Sequence, residues 1–169
     1  DPTPHGIPNL LKTIDQSTTL NVQFKRIAVD PAKDDIFRFP ILLMIGQRDF
    51  QLSDEAAKRL RQYLDNGGVL FIDAAVGTSE FDKAFRREIK KVYSDKDLKP
   101  LPPDHPMFNF VSDARKVRLS SQAATLFPGL STPALEAIEV DGLLPVVYSR
   151  LSLSAGWEKL PRAYNVGYA

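Results

Sequence analysis

The chain has 169 residues, 43% hydrophobic and 25% charged, a globular composition that fits one domain with a core of useful size. Lys and Arg number 22 against 21 Asp and Glu, a net charge of +1 that argues against a nucleic-acid binder, which needs a basic face to displace counterions from phosphates. There is no cysteine and only His5 and His105, which excludes disulfides, a cysteine nucleophile and thiolate metal sites; no structural zinc and no cofactor is expected.

The opening Asp1–Pro8 is proline-rich and predicts an irregular leading loop, with His5 carrying no signal. Asn9 is placed to cap a short helix carrying Leu10, Leu11 and Ile14. Leu20, Val22 and Phe24 alternate with Asn21 and Gln23, the period of a strand with one buried face. Ile41–Ile45 is apolar throughout, which predicts a strand covered on both faces. Ser53 then caps a helix whose stripe is Ala56, Ala57, Leu60, Tyr63 and Leu64, and Gly67-Gly68 ends it. Val69–Asp73 predicts a central parallel strand, and Ala74–Thr78 a turn. Ser79 caps a second helix with Phe81, Ala84, Phe85, Ile89 and Val92 on one face. Strand, helix, strand, helix in this order implies parallel strands joined by right-handed crossovers.

Pro100–Pro106 predicts an extended loop. Short strands are expected at Val117–Leu119, Ala137–Val140 and Leu144–Tyr148, with Pro145 making the last an edge strand or standing at its start. Ser152–Ala169 looks like loop. No apolar run approaches the roughly 20 residues that span a bilayer, so no transmembrane segment is expected. Because the chain opens on Asp1 rather than Met, a removed leader or anchor is expected, which would make the protein exported or membrane-anchored.

Five stretches in order carry a family resemblance: Gly46–Glu55, Leu64–Asp73, Phe81–Glu88, Pro102–Pro106 and Ser154–Glu158. Together they resemble the bacterial family of unknown function DUF4159, grouped with class I glutamine amidotransferase-like folds. The resemblance covers nearly the whole chain and implies a flavodoxin-like three-layer α/β/α sandwich with a mostly parallel central sheet, in one domain over residues 1–169. It implies no activity. Relatives often carry cysteine where this sequence has Ala74, Ala75 and Ala155. They also usually begin with an earlier strand and finish with a later one, so this chain is expected to be trimmed at both ends.

In a doubly wound sheet, ligands collect at the carboxyl ends of the strands. Asp49 and Asp73 fall in that zone, where two carboxylates can hold a cation or divide acid and base roles; alternatively each accepts N–H bonds from its own turn. His105, between Asp104 and Pro106, is a candidate general base or a packed corner. Arg86 could bind an anion by its fork, or pair with Asp73 or Glu55, or face solvent. Gly77-Thr78-Ser79 offers free N–H groups that suit an anion. There is no Gly-x-Ser-x-Gly elbow, and a glutaminase is excluded by Ala74 and Ala75 where its cysteine would stand. The sequence therefore favours a non-catalytic ligand-sensing or protein-interaction domain, its partner a protein or a small anionic ligand. The competing reading is a hydrolase or metal-dependent enzyme built on Asp49, Asp73 and His105.

Overall fold

A computed structural model describes residues 3–75, 79–109, 113–130, 132–159 and 167–168. Its centre is a mixed five-stranded sheet: β1 (Ile41–Gly46), β2 (Val69–Ala74), β3 (Lys99–Pro100), β4 (Leu135–Val140) and β5 (Leu143–Ser149), in spatial order β1-β2-β5-β4-β3. β1 pairs parallel with β2 and β2 with β5, while β4 runs antiparallel to both β5 and β3. Four strands thus point one way and only β4 the other.

The helices are α1 (Gly6–Ser17), α2 (Asp54–Asp65), α3 (Ser79–Val92), α4 (Ser121–Leu126) and α5 (Leu153–Glu158). α2 starts where expected because the Ser53 hydroxyl accepts the Ala56 N–H at 3.2 Å, and Asp54 and Glu55 sit in its positive first turn. Gly67 ends it at φ +90, a left-handed conformation that glycine adopts without strain. α2 and α3 lie side by side and bury their stripes against one face of the sheet. Leu42, Leu70, Ile72, Val146, Tyr148 and Ile138 from that face join Leu60, Tyr63, Phe81, Phe85 and Ile89 in one core. β2 is the central parallel strand the sequence predicts, and Gly46 pairs with Ala74 so that β1 and β2 end together.

The other face alternates with the first. It carries Ile41 and Leu43 on β1, Asp73 on β2, and Val147 and Ser149 on β5. α5 reaches it at the carboxyl end of β2 through Asp73, and α1 packs on α5. Over β1 it stays open: Ile41 is 61% and Leu43 40% exposed. The expectation of a strand covered on both faces fails because β1 is the edge of the sheet.

Other elements also depart from expectation. α1 begins at Gly6, three residues before Asn9, because Pro8 falls in the first turn, where a missing N–H costs no helical bond. Asn9 instead donates its side-chain N–H to the Trp157 carbonyl at 2.8 Å. Leu20–Phe24 forms no strand; Leu20 and Phe24 are 64% and 59% exposed, for no neighbouring strand meets them among the described residues. Residues 101–105 of the proline-rich stretch hold no helix or strand, as expected, but its first residue, Pro100, belongs to β3 and its last, Pro106, opens a short 3-10 helix, Pro106–Asn109. Val117–Leu119 reduces to one isolated bridge from Leu119 to Tyr168. β5 is an interior strand. It tolerates Pro145 because pairing to β2 starts only at Val146, and the β4 ladder is irregular between Ile138 and Val140. Ser152 to Glu158 holds a helix rather than loop, since the Ser152 hydroxyl caps α5 by accepting the Ala155 N–H at 3.0 Å.

Candidate functional site

The carboxyl ends of β1, β2 and β5 define the rim on which the sequence places its candidates. Asp73 is fully buried. Its two oxygens accept the Leu153 N–H at 2.7 Å and the Ser154 N–H at 3.0 Å. These are first-turn amides of α5, which have no acceptor within the helix. Burial pushes the Asp73 carboxyl above its ordinary range, opposed by the Ser154 hydroxyl and these two amides. Asp73 thus ties β2 to a helix 80 residues later, rather than binding the turn that follows it. Ser149, Ser152 and Ser154 are buried around it.

Asp49 lies in solvent, with 64% of its side chain exposed, and pairs with the Arg87 Nη2 at 2.9 Å. Arg87 also donates to the Phe50 carbonyl at 2.6 Å and to Glu88 at 2.6 Å. Glu88, 1% exposed, accepts the Leu52 N–H at 2.9 Å and Lys91 Nζ at 2.7 Å. Burial would raise its carboxyl, but Lys91, the Leu52 amide and Arg87 outweigh burial and bring it to about 2. This cluster clamps the Asp49 loop to α3.

Arg86 points to neither Asp73 nor Glu55. Its fork is bidentate on Glu136 of β4, at 2.8 and 2.6 Å, and its Nε donates to Asp82 at 3.0 Å. The Tyr148 hydroxyl donates to the same Asp82 oxygen at 2.8 Å, so α3, β4 and β5 are tied by one network. His105 sits in its own corner: Nδ1 accepts the Met107 N–H at 3.2 Å and the ring meets the edge of Phe108. Among the described residues no hydrogen bond or ion pair joins His105 to Asp49 or Asp73, and no three His, Cys, Asp or Glu side chains are grouped to hold a metal ion. Ser79 is the first residue of α3, whereas Gly77 and Thr78 lie outside the described residues. Two shallow clefts, of about 580 and 470 Å³, lie instead at the amino ends of the strands, lined by Phe37, Tyr63 and Gly67 in one case and by Asp65, Tyr93 and Leu143 in the other.

The family model described as a domain of unknown function, DUF4159, matches residues 1–167. The chain belongs to the DUF4159 family. No curated protein matches it. No described helix of this DUF4159 domain is long and apolar enough to cross a membrane.

Several residues that hold the domain together were not singled out from sequence. Glu88 was legible in principle: an acid at the 81-85-88-92 spacing falls on the buried stripe of α3, where it needs partners. Glu136 and Asp82 carry no comparable signal. His5 is more than loop; its backbone N–H and Nδ1 meet the Glu158 carboxylate at 2.7 and 2.9 Å, joining the start of α1 to the end of α5.

Proposed function

We propose that this DUF4159 domain is a non-catalytic protein-interaction module that docks its partner along β1. One observation carries the reading: an apolar strand of the kind that is usually covered stands at the sheet edge with Ile41 and Leu43 exposed. Such an edge offers unpaired N–H and C=O groups beside apolar side chains, which suits strand addition. What favours this over a hydrolase is that Asp73, Asp49 and His105 each serve a separate structural contact. The parallel β1-β2-β5 arrangement with α2 and α3 on one face supports a flavodoxin-like, class I amidotransferase-like sandwich as the scaffold. The glutaminase chemistry of that class would need a cysteine where Ala74 and Ala75 stand.

Hydrogen exchange on the isolated domain tests the reading. The β1 amides that point away from β2 are expected to exchange fast. A labelled extended peptide of alternating Val and Thr is expected to bind saturably and to protect them. Leu43→Lys should abolish binding while changing stability by no more than about 0.5 kcal/mol, as expected for an exposed site. Protection of those amides in the isolated domain, or equal binding by Leu43→Lys, would show that β1 is not the docking edge.

A further inference from the structure

A second site, independent of the β1 edge, lies at the far end of β5. Arg150 directly follows this interior strand and is half-buried. Its guanidinium lies over the ring of Phe127, the residue just after α4, with Cζ 4.8 Å from the centroid, which places it against that ring. Its Nε is shut off from solvent and meets no acceptor among the described residues. Five other arginines are answered, Arg59 by carbonyls and Arg61, Arg86, Arg87 and Arg115 by carboxylates, while Arg38, Arg48 and Arg118 are exposed to water. The acid opposite Ser149 in the neighbouring strand is Asp73, and its oxygens are already taken by Leu153 and Ser154. The other buried side-chain atom without a partner among the described residues is Gln122 Oε1, on the helix that leads into Phe127.

A buried donor on a charged group is costly to leave unanswered, and the planar guanidinium presents two parallel N–H bonds to any group with two coplanar oxygens. We propose that Arg150, backed by Phe127, anchors a small oxyanion at the carboxyl end of β5, a carboxylate or a phosphoryl group. With Phe127 against the guanidinium, the ligand engages its N–H edge. Because Nε is shut off from solvent, binding through it requires the residues that cover it to move.

The experiment follows the Arg150 Nε–Hε signal by NMR in the folded chain, titrating acetate in one arm and inorganic phosphate in the other, with chloride added to match ionic strength. A saturable shift in either arm is expected, with the preferred arm naming the ligand class. Thermal stability of the wild type should rise with the same midpoint, since a ligand of the folded state stabilises it. Arg150→Lys keeps the charge but loses the fork, and should weaken the midpoint by about tenfold or more. Responses no larger than those to chloride, in both arms, overturn the proposal. So do equal midpoints in wild type and Arg150→Lys. If Arg150→Lys fails to fold, the wild-type signal alone decides.

Discussion

Glu88 gives the sharpest test of how the rim is held. The perturbation is Glu88→Gln, which keeps size and an acceptor but removes the charge. Burial works against the carboxylate; Lys91, the Leu52 amide and Arg87 more than offset it and lower its pKa from an ordinary 4.5 to about 2. At 1.36 kcal/mol per pH unit this is worth about 3 kcal/mol at neutral pH. Arg87 and Lys91 are 47% and 38% exposed, so water screens both. A net effect of about 1–2 kcal/mol is therefore expected. The folded value lies below the unfolded one, so the stabilisation is complete above about pH 5 and is lost as the pH falls toward about 2. Urea unfolding of wild type and variant across that range is the assay. The wild type should lead at neutral pH, and the gap should shrink steadily on acidification. A gap of constant size down to about pH 2 would show that Glu88 acts by packing, and the electrostatic account would fail.

Two further substitutions test separate ties. Asp73→Asn leaves an acceptor for only one of the two α5 amides, so a loss of about 1–3 kcal/mol is expected, with faster hydrogen exchange at Leu153 and Ser154; unchanged exchange would mean the carboxylate does not hold α5. At Gly46 a Cβ would overlap the Phe81 ring, which packs between Phe50 and Phe85. Gly46→Ala should therefore lower the thermal midpoint through an overpacking cost of about 1–3 kcal/mol, whereas Gly156→Ala, with open space around it, should not destabilise; equal effects would refute the steric reason.

The parts of the fold that were legible are those where a local pattern and a local stop signal agree. α2 has a period-3.6 stripe, a serine cap and a glycine stop, and forms as expected. β2 is apolar and short, between turn signals, and lies inside the sheet between its parallel partners β1 and β5. Where the pattern depends on a neighbour, it misleads. Leu20–Phe24 reads as a strand with one buried face and Ile41–Ile45 as a strand covered on both, yet the first pairs with nothing described and the second, though a strand, is an edge with one face open. Periodicity states which side chains need cover and does not supply the cover. Prolines misled in the opposite sense. Pro8 sits in a first helical turn and Pro145 ahead of its ladder to β2, two positions where a missing N–H breaks no bond.

The site obeyed a similar division. Topology alone brings Asp49 and Asp73 toward one rim, because β1 and β2 are parallel neighbours that end in register. What a carboxylate can do there depends on who already holds its oxygens, and the holders come from distant sequence. The Asp73 partners are at Leu153 and Ser154, the Arg86 partner is Glu136, and the Asp49 partner is Arg87. A carboxylate that is fully buried and engaged by two amides keeps its charge and spare lone pairs, but it meets a cation or a substrate proton only if the residues that cover it move. The residues left with capacity are therefore ones that no motif pointed to. Among the described residues, Arg150 has a cation without a carboxylate and β1 an edge without a neighbouring strand. Binding capacity in this domain is to be sought where bonds remain to be made, and both of these places can be tested by substituting a single residue.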